Sequence, residues 1–423
     1  MFSSVVLWPR STFCVATTIV LTIGSAGYAE KTSTSSRRIT LKEVEQRAET
    51  HPALEAAKQR RRAAEAARVE ATAAPNPRLE TSVGAAFGKA METAAPQWGV
   101  GFTVPLGWSA GRNVRGESAA AAAAVAFAEV ARTRRDLRRV GRELYWRLAG
   151  ASARARTLRD LTEQSDALVS TVEARVVRGA ARPIEKVRVQ VEAEAVRGEW
   201  MEASALESAH RARLALFLGL PGETPLEVDA DLEQISKIDD ASALIDMDEH
   251  PAAKAARARA RAARADEAVA RRSRVPDLDI GGFFESEPEK RAAGGTLSLE
   301  LPLWNLHRGA VRSAEAEVAA ADAEIDAERS SRTADTVEAT VACRSGTAVT
   351  EHYRLKILPL AASAAETAEK SYRLGESALM EVIDARRTLL ETRLRFLSSL
   401  LQTHLDCTRA QWLSEKETLK EEL

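Results

Sequence analysis

The sequence predicts a mainly α-helical fold with a membrane-adapted β portion, built from two copies of one unit. Three observations carry that expectation. Landmarks recur in one order at a nearly constant offset: His51 and His250, like Pro77 and Pro276, lie 199 residues apart, Pro105 and Pro302 lie 197 apart, and Gly179 and Gly375 lie 196 apart. Long proline-poor stretches of Ala, Glu, Arg and Leu, in a chain only 5% aromatic, favour extended helices over a thick globular core. Each copy also carries two short segments in which apolar residues alternate with polar or small ones, the period of a strand with two unlike faces. The offset is far longer than a solenoid repeat, so the chain reads as a duplicated domain.

In order along the 423 residues, the first segment reads as a secretory signal over 1–29. Arg10 is its only charge, Phe13 to Ile23 is apolar, and small residues end it at Gly27-Tyr28-Ala29. Thr12-Phe13 precedes Cys14 in place of the small residues of a lipoprotein box, so the exported chain is expected to be cleaved and not lipidated. The first repeat then occupies 30–225 and the second 226–423, divided at the turn-rich stretch Leu218–Pro225.

Within the first repeat, 41–73 has a helical pattern, with Thr40 as N-cap and Pro75 and Pro77 ending it. Strands are expected at 78–88 and 97–105, with Leu79, Thr81, Val83 and Phe87 alternating against Glu80, Ser82 and Gly84, and a hairpin loop between them. A helix from Gly111 to Arg178 would be roughly 100 Å long. Gly179 breaks it, and Pro183, suited to a first helical position, restarts a return helix over 183–218. The two shorter helices together match the long one, which predicts a rod of two stacked helices beside one unbroken helix. The second repeat follows the same plan, with strands at 277–286 and 295–303, a long helix Arg308–Leu374 kinked at Pro359, and a return Glu376–Leu423.

Composition excludes some functions. Sixty basic and 61 acidic side chains are interspersed, with a net charge of −1, so no nucleic-acid partner is expected. A mean hydropathy of −0.24 excludes a polytopic helical membrane protein. The six histidines show no metal-ligand spacing, and no catalytic constellation, phosphate loop or Cys-x-x-Cys appears, so neither enzyme activity nor a cofactor is expected. The strands have the length of lipid-crossing strands, yet four cannot close a barrel, and open edges in lipid are prohibitively costly. Three copies would supply twelve strands around a lumen. The competing reading is a structural periplasmic coiled-coil or adaptor protein that never enters the membrane.

The early "HPAL" helix, "APNP" before the first strand, "VPL" and "LPL" ending the second and fourth strands, and above all Tyr372–Leu397 ("YRLGESALMEVIDARRTLLETRLRFL") resemble the TolC-type outer-membrane efflux family. The stretch Glu300–Val318 is similar to its cobalt–zinc–cadmium branch. The resemblance implies a homotrimer in the outer membrane of a Gram-negative bacterium, with a 12-stranded β-barrel in outer-membrane lipid continued by a periplasmic α-helical barrel. It further implies a passive exit duct for an inner-membrane efflux pump linked by a periplasmic adaptor, with heavy-metal cations as the cargo of that branch.

Candidate residues cluster near the glycine turns. Val177, Gly179, Leu374, Gly375 and Ala378 sit at hairpin tips, where the resemblance implies adaptor docking. Glu381 and Asp384 share a helix face; the resemblance places acidic residues there, lining the periplasmic entrance, and Arg188 of a neighbouring copy would pair with Asp384. The plain alternative for these charges is a solvated helix face. Cys343 and Cys407 each lie 32 residues from Gly375, so an antiparallel hairpin sets them level, in an exported and oxidising compartment. They would form either a disulfide or two separately buried thiols.

Overall fold

A computed structural model describes residues 37–86, 95–235, 250–287 and 290–414. The expected signal segment and most of the first hairpin loop lie outside these residues.

Helix α1 (Leu41–Ala48) starts at a capping box in which the Thr40 hydroxyl accepts from the Glu43 N–H and the Glu43 carboxylate accepts from the Thr40 N–H. The single helix expected over 41–73 is in fact two. Helix α2 (Pro52–Thr72) begins anew because Pro52 holds His51 extended, at ψ 138°, and supplies no N–H. The His51 ring caps the new helix, its Nδ1 accepting from the Ala53 N–H at 3.1 Å. The second repeat reproduces this at helix α5 (Pro251–Arg272), where His250 Nδ1 accepts from the Ala252 N–H at 3.1 Å.

Helix α3 (Gly107–Val177) runs unbroken for 71 residues, and α4 (Pro183–Phe217) returns beside it. The start of α2 meets the end of α4, with the His51 and Phe217 rings 5.1 Å apart. Two shorter helices therefore stack end to end along the long one. The long helix of the second repeat is divided into α6 (Arg308–His352), a π-turn (Tyr353–Ile357) and α7 (Leu358–Leu374), and α8 (Leu379–Ser414) returns. Pro359 accounts for the π-turn. A proline ring presses on the carbonyl four residues before it, and here the turn widens, with the Leu358 N–H bonding to the Tyr353 carbonyl five residues back. Both hairpin tips turn at glycines of positive φ, Gly179 at 72° and Gly375 at 84°.

Strands β2 (Arg78–Ala86), β3 (Ala95–Pro105), β5 (Leu278–Ser286) and β6 (Arg291–Leu299) form one antiparallel sheet in the order β2-β3-β5-β6. The last strand corrects the expected 295–303. Leu299 pairs with Leu278, the first residue of β5, so the ladder has no partner beyond it, although Leu301 and Leu303 keep the alternation. Two further strands, β1 (Arg37–Ile39) and β4 (Leu226–Val228), lie parallel side by side at the start of each repeat. Their Ile39 and Leu226 join Val44, Tyr145, Leu148 and Leu214 in a core that binds the second repeat's first strand to the first repeat's helices. Farther along, Trp146 stacks on His404 at 3.7 Å, and Cys343 of α6 is bonded to Cys407 of α8 with Cα atoms 4.7 Å apart.

Candidate functional site

The sheet has two unlike faces, and register fixes which residues share them. Leu79, Val83, Trp98, Phe102, Ile280 and Leu297 fall on one face and stand exposed, Val83 at 87% and Leu297 at 71%. Glu80, Ser82, Gln97, Thr103, Glu285 and Ser298 fall on the other. That second face lies close on its backbone: a Cβ at Gly281 would meet the Phe102 carbonyl oxygen at 2.5 Å, so only glycine fits. Among the described residues β2 pairs only with β3 and β6 only with β5, which leaves both sheet edges open. A contiguous exposed apolar face with unpaired edges is unstable in water.

At the far end of the helices the two hairpins meet over Val172, Val189, Tyr372, Leu379, Val382 and Ile383. The Arg175 guanidinium lies 4.3 Å from the Tyr372 ring centre and donates to the Tyr372 carbonyl at 2.6 Å. The Tyr372 hydroxyl donates to Glu185 at 3.4 Å, and burial pushes its pKa up. Arg387 of α8 donates to Glu192 of α4 at 2.6 Å, and Arg386 to Glu369 of α7 at 2.6 Å. Between these contacts the helices leave a cavity of about 50 Å³, bordered by Leu161, Val189, Val196, Ile383 and Leu390.

Glu381 and Asp384 are exposed on α8, flanking the buried Val382 and Ile383. Arg188 is exposed on α4, and among the described residues no ion pair joins it to Asp384 within the chain. At the tips, Val177 is 82% and Leu374 74% exposed, Ala378 is also exposed, and the space around Gly179 and Gly375 is open. The sequence reading missed Arg175, Tyr372, Glu192 and Arg387 as a group. Their signal was the repeat offset: contacting partners lie 197 and 195 residues apart, so nearly equivalent positions of the two repeats face each other. Among the described residues no group of three or more His, Cys, Asp or Glu side chains is placed to hold a metal ion, and no helix is long and apolar enough to cross a membrane.

Residues 247–406 match the family described as "Outer membrane efflux protein". The chain is 26% identical over 344 residues to the cobalt-zinc-cadmium resistance protein CzcC of Cupriavidus metallidurans, covering 80% of this chain and 81% of the relative. Its fold is similar to the outer-membrane channel OprN (TM-score 0.77, 19% identity, 89% of this chain and 90% of that one) and to CusC (0.75, 15%, 93% and 96%). The outer membrane protein VceC of Vibrio cholerae is also similar (0.74, 18%, 88% and 96%). The helical body and its sheet thus have the architecture of an outer-membrane channel subunit. These likenesses agree with the resemblance read from Tyr372–Leu397: over 247–406 the chain matches the outer-membrane efflux family, a family of channels.

Proposed function

We propose that the chain is the passive exit duct of a tripartite efflux system, working as a homotrimer. Three sheets pair along their open edges into a 12-stranded barrel, and the helices continue it as a periplasmic tube. The observation that carries this reading is the sheet itself. Its apolar face is displayed, its opposite face carries Glu80, Ser82, Thr103, Glu285 and Ser298, and among the described residues both edges lack partners. An inner-membrane pump drives transport through a periplasmic adaptor, which docks at the exposed tip residues Val177, Leu374 and Ala378 around Gly179 and Gly375. Glu381 and Asp384 form acidic rings at the narrow end, and Arg188 of a neighbouring copy pairs with Asp384 to hold it shut. Heavy-metal cations are the cargo; this rests on the likeness to a protein named for cobalt, zinc and cadmium resistance.

Membrane fractionation and unheated gel electrophoresis test the channel. The protein should sediment with outer membranes and run as a heat-sensitive oligomer; a soluble periplasmic monomer overturns the reading. For the cargo, a deletion strain should become more sensitive to cobalt, zinc and cadmium. Unchanged metal sensitivity removes metals as cargo and leaves the duct.

A further inference from the structure

The segment between β6 and α6 differs from its counterpart in the first repeat. There, β3 ends at Pro105 and α3 begins at Gly107, with hardly any connection. Here a loop runs from Glu300 to His307, held by a turn in which the Asn305 side-chain oxygen accepts from the His307 N–H at 3.0 Å. His307 takes a left-handed conformation at φ 49°. The loop does not fold its apolar residues inward: Leu301, Leu303 and Leu306 are exposed, and Trp304 is 93% exposed. Isolated exposed leucines are ordinary; four large apolar residues within six positions are not.

Two features of the surroundings say what covers this loop. Leu297, Leu299, Leu301 and Leu303 are successive alternate positions, so the apolar face of the sheet continues past the end of the ladder. The same end of the sheet carries Arg78, Arg274, Arg308 and Arg312, all exposed and without an ion-pair partner among the described residues. An apolar stripe that ends in a tryptophan and is bordered by unpaired arginines matches the boundary between acyl chains and phosphate headgroups.

We propose that the 301–306 loop is a lipid-interface anchor, seated in the headgroup layer of the periplasm-facing leaflet with Trp304 at its centre. The arginines meet lipid phosphates from the helix side. The proposal rests on the membrane reading of the sheet, and its test separates the two. The full-length protein is reconstituted into phosphatidylethanolamine–phosphatidylglycerol vesicles, and tryptophan emission is compared for wild type, Trp304→Phe and Trp98→Phe. Quenchers are lipids brominated near the headgroup, lipids brominated near the chain end, and aqueous iodide. The emission lost in Trp304→Phe should be quenched at least about twofold more by the shallow lipid than by the deep lipid or by iodide. The emission lost in Trp98→Phe reports the sheet face and should respond to brominated lipid. If Trp98 responds while Trp304 answers only to iodide, the loop is in water; if Trp304 answers to no quencher, it is buried against a neighbouring copy. Either result overturns the anchor and leaves the barrel standing. A Trp98 signal that no lipid quenches overturns the membrane reading and the anchor with it.

Discussion

Burial and two arginines hold the His250 ring neutral. Its Nδ1 caps α5, its Nε2 faces an Arg135 nitrogen at 3.2 Å, and Arg332 lies near, opposed in part by Glu328. The pKa falls from 6.5 to about 4, mainly through burial and then through Arg135. Arg135, Arg139 and Arg332 also ring Trp412 at 5.1–5.7 Å, so a proton on His250 would add charge to an already cationic cluster. The sign follows from linkage: the unfolded chain binds this proton first, so the stability the neutral ring contributes is complete above pH 6.5 and is lost as pH falls towards about 4. Melting temperature should therefore decline over that window, and His250→Asn, which keeps a capping oxygen, should decline less; parallel curves for the two would exclude the histidine. At the opposite end, replacing Glu381 and Asp384 with Ala should weaken divalent-cation block in planar bilayers, and unchanged block would remove both from the pore. Arg387→Glu sets a carboxylate against Glu192 and should raise single-channel conductance by loosening the hairpin junction. That Glu381 and Asp384 share an exposed helix face was legible from their spacing of three. Arg387 and Tyr372 were not, because their partners lie in the other repeat: the repeat offset relates those positions, but helical periodicity does not say that they touch.

Among the elements, the second hairpin is fastened at one height and widened at another. Cys343 and Cys407 join α6 to α8 on the sheet side of the π-turn, across 64 residues of chain. Replacing both with Ala should lower stability by about 2–5 kcal/mol. A non-reducing digest should yield a linked peptide containing both residues; recovery of both as free, alkylatable thiols would refute the bond. Equal spacing from Gly375 made their level legible, whereas the π-turn lay hidden behind Pro359, which announces an interruption without its form. Other elements failed to show in the sequence for particular reasons. His51-Pro52 carried the break between α1 and α2, but proline at a first helical position is so compatible with a helix that the apolar pattern runs through it. β1 and β4 have three residues each, too few to display a period. β6 was placed four residues late because Leu301 and Leu303 extend its alternation while its end is set by where β5 begins.

For the molecule as a whole, the duplicated plan was the most legible feature, because the landmark offsets hold across both hairpins and both turns. The number of copies in the finished channel is written in no single chain; it follows from how many four-stranded sheets close a ring. The open edges of β2 and β6 therefore have a genetic consequence. In the proposed ring every subunit is a link between two others, so one subunit with a blocked β6 edge spoils the whole assembly. Co-expressing such a variant in equal amount should leave about one-eighth of the rings free of defective chains, far below the half expected if subunits acted singly. The yield of heat-sensitive oligomer, titrated against the fraction of variant, should fall as a cube. A straight line would mean that each chain makes its own passage, and a blocked-edge allele would then be recessive where the ring makes it dominant.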